Sequence, residues 1–273
     1  MPDESNIQST ANAVKGILEA VAVYQDVVQP AAKEVGAALQ TVAKTIHILL
    51  APVSGLVWGY DQIKDFVGAR VTEKLRNVPE ERLRTPEPNI AGPALESLRY
   101  TGHKEELREL YASLLATAMD ADKMAQAHPA FVEIIRQLSP DEAKIVRRFA
   151  YSGAQALIDV RNHQDTPPVG GRWILKYFSM LPYDATCTSP ELGPAYMVNL
   201  QRLGLVELRE NYRLNSQDGV DQYQVLRDYP TIKSLCEEIG KEPGHRAEIW
   251  EGAVHLTALG RQFCYACIYD AQG

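Results

Sequence analysis

Apolar positions along residues 94–119 recur with the period of an α-helix. Leu107, Leu110, Tyr111, Leu114, Leu115 and Ala118 share one face, while Lys104, Glu105, Arg108 and Glu109 share the other. Gly102 predicts a break in this segment. A shorter stripe, Phe131, Ile134, Ile135 and Leu138, follows. Ser139-Pro140-Asp141-Glu142 then reads as a helix start: a cap, a proline at the first position, and a glutamate placed for a capping box. Upstream, residues 11–50 predict helix with a kink near Pro30, and residues 56–75 a second helix. Residues 77–93 carry four prolines and predict a linker or extended crossover. Residues 1–10 read as disordered.

Beyond Gly153 the texture changes. Ala156, Ile158 and Val160 alternate with polar residues, the period of a strand. Residues 173–180 read as a short helix. In SPELGPAYMVNLQRLGLVEL (189–208), Ser189 and Pro190 read as a cap and first turn. Leu192, Tyr196, Leu200 and Leu203 fall at helical spacing, and Gly204 ends the helix. Leu205, Val206 and Leu208 begin an extended run. A second one, residues 249–256, ends at Thr257, where HLTALGRQF starts another helix. Helix, strand, strand, helix is how a winged helix-turn-helix ends. The expected fold is therefore mainly α: a helical domain over 11–138, then a winged-helix-like α+β domain over 139–273. An insertion of about residues 212–245 separates its wing strands and holds a predicted helix at 231–239.

Charge narrows the partners. The net charge is -7 and both halves are mildly acidic, whereas a nucleic-acid binder usually carries a basic footprint. DNA is thus disfavoured, and a protein partner or self-association is expected. The small residues Ala31, Ala32, Gly36 and Ala37 would let the 11–50 helix pack closely in a homodimer. If the winged part does read DNA, Asn199, Gln201 and Arg202 on its recognition helix face base edges, and Arg209 and Arg213 meet phosphate. The start MPDESNIQST has no signal-peptide character, and a cytoplasmic setting with free thiols is expected for the four cysteines. The stretch IHILLAPVSGLVWGY (46–60) is almost free of charge. It reads either as a core hairpin or as a membrane or partner contact through Leu49, Leu50, Leu56, Trp58 and Tyr60.

Candidate chemistry is sparse. Cys264 and Cys267 form a lone CxxC, which needs His245 or His255 to complete a zinc site. On one helix face the two are better read as buried structural thiols. His103 and His128 sit at helix starts, and His47 in an apolar stretch, where each reads as local structure. No GxSxG, P-loop or HExxH motif occurs. The residues propose no catalytic group, metal or cofactor.

Three blocks resemble the Abi-alpha family of bacterial proteins: VYQDVVQPAAKEVGAALQTVAKTIHILLAPVSGLVWGYDQIKDF (23–66), IAGPALESLRYTGHKEELRELYASLLATAMD (90–120) and AHPAFVEIIRQLSPDEAKI (127–145). NLQRLGLVEL and HLTALGRQF fit the same pattern. The resemblance implies a cytoplasmic protein of phage defence by abortive infection. It carries over no catalytic site. A winged-helix DNA-binding regulator and a protein–protein adaptor are the alternatives.

Overall fold

A computed structural model describes residues 60–269, with side chains from residue 65 onward. The described chain is mainly helical, with one four-stranded antiparallel sheet. It divides into two units, residues 60–140 with 265–269, and residues 141–264. The predicted 11–50 helix lies outside the described residues.

The first unit is built from α1 (Tyr60–Leu75), α2 (Pro88–Thr101), α3 (Glu105–Met119) and α4 (Ala130–Arg136). Helix α3 packs against the other three. Its predicted stripe is buried, and so are Ser113 and Thr117, so the helix is enclosed on more than one face. Val67, Val71 and Leu75 of α1 recur every four residues and are buried. Each such side chain contributes about 1.5–3 kcal/mol through removal from water. Tyr111 lies within this core, its hydroxyl donating to the Val132 carbonyl at 3.3 Å. Burial pushes its pKa up to about 12. Helix α2 begins at Pro88, inside the segment expected to be a linker, because Pro88 stands in its first turn where the missing N–H costs nothing. The break at Gly102 is present, between α2 and α3.

The second unit runs α5 (Pro140–Ala150), β1 (Gln155–Gln164), β2 (Gly170–Phe178), α6 (Leu181–Asp184), α7 (Gly193–Arg202) and β3 (Val206–Glu210). It continues through α8 (Gln217–Asp228), α9 (Pro230–Gly240), β4 (His245–Leu256) and into α10 (Ala258–Cys267). The strand order is β2-β1-β4-β3. β1 and β4 pair without a break from Gln155↔Val254 to Gln164↔His245. Residues 173–178, read from sequence within a short helix, belong to strand β2. Its register on β1 shifts twice, once on each side of the Val160↔Leu175 pair. These bulges remove the alternation that marks a strand, leaving an apolar run with no period.

Helices α8 and α9 cover one face of the sheet. Tyr223, Leu226, Ile232 and Ile239 pack onto Ala156, Ile158, Val160 and Phe178. The Tyr223 hydroxyl is fully buried, donates to the Gly252 carbonyl at 2.8 Å and accepts from the Leu214 amide at 3.0 Å. Burial raises its pKa.

Candidate functional site

Helix α7 is held at both ends by residues remote in sequence. At its start, Asp141 of α5 accepts hydrogen bonds from the Thr188 amide at 2.8 Å, the Ser189 amide at 3.0 Å and the Tyr196 hydroxyl at 3.1 Å. Ser189 makes no side-chain cap; its own amide is bound by the Asp141 carboxylate, a stronger acceptor. Burial opposes ionisation of Asp141. The two amides, the tyrosine hydroxyl and Lys144 outweigh it and hold the pKa below the ordinary value. Burial and the Asp141 hydrogen bond push Tyr196 up to about 12. Glu142 accepts from the Asn199 side-chain Nδ2 at 2.7 Å.

At its other end α7 closes in a Schellman turn. Gly204 has φ +73°, its amide bonds the Gln201 carbonyl at 2.9 Å, and the Leu205 amide bonds the Leu200 carbonyl at 3.0 Å. Thr257 then joins this turn to α10. Its hydroxyl donates to the Gly204 carbonyl at 2.5 Å and accepts from the Gly260 amide at 2.8 Å, while its own amide donates to the Leu205 carbonyl at 3.1 Å. A Cβ on Gly260 would lie 2.0 Å from the Leu205 oxygen. The two C-terminal sequence blocks are thus one tightly packed junction.

The sheet curls until its two edge strands meet beside α7, which touches both. Glu210 of β3 accepts from Lys176 at 2.5 Å and from the Tyr177 hydroxyl at 2.7 Å, both on β2. Those hydrogen bonds lower the pKa of Glu210 and raise that of Lys176. Tyr177 has φ +59°, a left-handed conformation that costs a bulky residue free energy. Its amide donates to Asp159 at 2.7 Å. Asp159 is 7% exposed. Burial raises its pKa, as does Glu210, against the Tyr177 amide and Lys176.

Between the bulged end of β2 and α7 runs an open groove. Ile174, Pro194, Ala195 and Val198 give it an apolar lining, with Lys176 and Arg202 at its sides. Val198 is 49% and Ile174 37% exposed, so both are open to a partner. Trp173, beside the groove, meets Trp250 edge to face at 5.7 Å, and Arg161 and Lys176 lie over its ring.

The residues singled out from sequence are distributed as follows. Asn199 and Arg202 border the groove and hydrogen-bond each other at 2.9 Å. Gln201 is exposed on the same helix. Arg209 pairs with Glu207 at 2.9 Å and lies over Tyr212, and Arg213 pairs with Glu251 at 3.1 Å. Of the apolar contact residues, Leu49, Leu50, Leu56 and Trp58 lie outside the described residues, as does His47. Tyr60 opens α1, with no side chain described. Cys264 and Cys267 are buried, and burial pushes Cys264 up to about 12. His128 accepts from the Ala130 amide at 3.1 Å, and His103 is exposed.

A second polar concentration gathers at the far end of β1 and β4. His163, His245, Asp165, Glu242 and Glu248 interact there with Asn162, Arg161 and Arg246. Among the described residues no three histidine, cysteine or carboxylate groups are placed to hold a metal ion. The groove, the bulge and the Glu210 closure were missed from sequence. The signal available was WILKYF, an apolar run containing one lysine.

The model of the abortive infection alpha family matches residues 59–267. The chain belongs to that family. No curated protein matches it. Among solved structures it is similar to an uncharacterised protein from the hydrocarbon-degrading marine bacterium Alcanivorax borkumensis SK2. The identity is 18%, over 51% of this chain and 92% of that one, with a TM-score of 0.35. That likeness is too slight to carry an argument. In this Abi-alpha chain no described helix is long and apolar enough to cross a membrane.

Proposed function

We propose that this Abi-alpha protein is a cytoplasmic phage-defence protein that acts by contact rather than by catalysis. The observation that carries the reading is the family match over residues 59–267. In this reading residues 139–273 are a winged-helix-like binding module. Its support is the element order: α5, the β1–β2 hairpin, then α6 and α7, then β3 and β4 as wing strands, with α8 and α9 inserted between them. The contact is with a protein. The net charge of -7 argues for this over DNA, and the carboxylate partners of Arg209 and Arg213 argue the same way. In the same reading residues 11–138 act as the effector part, with 46–60 delivering the effect at a membrane or second partner.

Bacterial growth with and without the protein, against a phage panel at low and high multiplicity, tests this. Protection at low multiplicity with culture collapse at high multiplicity is expected. Equal plaque counts with and without the protein across the panel would remove the defence reading.

A further inference from the structure

We propose that the polar cluster at the far end of β1 and β4 is a proton-operated fastener: uptake of a proton by His163 ties the tip of the β1–β2 hairpin to β4, and its loss slackens that tip. This holds whether or not the protein acts in phage defence. Strand β2 is an edge, laddered to β1 alone. Its last turn of chain is fastened to Glu210 by Lys176 and Tyr177, so its first residues depend on how the hairpin tip is held. The tip meets the turn that leads into β4: the Asp165 amide donates to the Gly244 carbonyl at 2.8 Å. Gly244 has φ +75°, and a Cβ on it would lie 3.0 Å from the Thr166 hydroxyl oxygen.

His163 stands between two carboxylates. Its Nε2 lies 3.5 Å from Asp165 of the tip and its Nδ1 3.5 Å from Glu248 of β4. The Nδ1 is buried and makes no hydrogen bond. A neutral imidazole carries one N–H, so whichever nitrogen holds it, the other turns a lone pair toward a carboxylate. Only the imidazolium meets both with a proton. His245 differs. Its Nδ1 lies 2.8 Å from the Asn162 Oδ1 and 3.2 Å from Glu242, and Asn162 is oriented by donating its Nδ2 to Glu242 at 3.3 Å. Both neighbours are acceptors, so the neutral ring meets them with that one N–H. The charged groups around the two rings are Asp165 on the tip, Glu242 before β4, Arg246 and Glu248 on β4, and Arg161 on β1. Arg246 bonds Asp165 and Glu248, and Arg161 lies 3.8 Å from Glu248. Three carboxylates against two guanidinium groups leave one negative charge in excess, which a single proton cancels. The Arg246 hydrogen bond lowers the pKa of Glu248, which keeps that carboxylate ionised while histidine titrates. Arg246 and Asp165 are 53% and 46% exposed, so water and salt screen their pair. His163 and Glu248, at 18% and 22%, are screened less.

The test reads the full chain by NMR. Amide exchange at Asp165, corrected for the intrinsic effect of pH on exchange, reports the closure of the tip. Ring nitrogen shifts report the protonation of each His163 nitrogen. Between about pH 8 and about pH 5.5, where histidine gains its charge, protection at Asp165 is expected to rise about three- to fivefold, in step with protonation of the His163 ring. His163→Gln cannot take up the proton and should hold protection at its high-pH level throughout. Glu248→Gln leaves His163 a single carboxylate and should flatten the rise, while His245→Gln should keep it. Circular dichroism checks that each variant is folded, and the parent titration stands by itself where one is not. Constant protection at Asp165 across this range in the parent, a rise that persists in His163→Gln, or a rise lost in His245→Gln instead would overturn the inference.

Discussion

Asp141 and Asp159 are both buried aspartates, and their surroundings drive them in opposite directions. Asp141 receives two amides and a hydroxyl, and its pKa is depressed. A depressed carboxyl stabilises the fold above its unfolded pKa of about 3.9, and that stability is lost as pH falls through the folded pKa. Urea unfolding should therefore show Asp141→Asn less stable than the parent by about 1–3 kcal/mol at pH 7, with the gap narrowing at acid pH. Asp159 has a raised pKa because burial penalises its charge. Its contribution is fully present below the unfolded pKa and declines as pH rises through the folded value. Asp159→Asn keeps an oxygen for the Tyr177 amide without the charge. It should be the more stable protein at pH 7 and lose that advantage at pH 4 in the same assay.

At the scale of elements, the Gly204–Thr257–Gly260 junction decides where α7 and α10 sit. Gly260→Ala places a methyl against the Leu205 carbonyl and should cost at least about 2 kcal/mol. Gly204→Ala, a left-handed position with more room, should cost about 1–2 kcal/mol. Chemical denaturation of both variants checks the order. The sequence made Gly204 legible as a helix stop because one residue type serves that conformation. It said nothing of Gly260, whose constraint comes from a carbonyl distant in the chain. The same division runs through the fold. The stripes of α3 and α4 and the alternation in β1 were readable because their apolar residues keep the period of the element, although α3 is enclosed on more than one face and residues 156–160 of β1 are all buried. Strand β2 was misread because its bulges erase that period. Helix α8 was overlooked although Ser216 caps it, accepting from the Gly219 amide at 3.2 Å, with Val220, Tyr223 and Leu226 recurring every three residues. The groove was not legible at all, since it forms where a curled sheet brings separate segments together. Asn199 and Arg202 were named for helix position alone, and the structure sets them at its border.

For the whole molecule, the four cysteines are free, and none is exposed. Burial raises the thiol pKa of Cys187 to about 11 and of Cys264 to about 12, and raises that of Cys236. Native protein at pH 7.5 should react slowly with a thiol reagent at all four, and unfolding in guanidinium should release four equivalents promptly. Mass spectrometry of partially labelled protein should find Cys187 or Cys236 modified before Cys264 or Cys267.

Strand β4 is bonded on one side to β1 and on the other to β3, yet of the four described strands it is the last to leave the ribosome. Until residue 256 has been made, β1 and β3 have no common neighbour, and the surface that α8 and α9 cover is incomplete. Closing a ladder between residues 155 and 254 is a long-range event of the kind that slows folding. A nascent chain halted before residue 245 therefore lacks the centre of its sheet and exposes strand edges, the form that proteases and chaperones recognise. Any arrest of translation before that point ends the supply of finished molecules at once and leaves only the copies already folded.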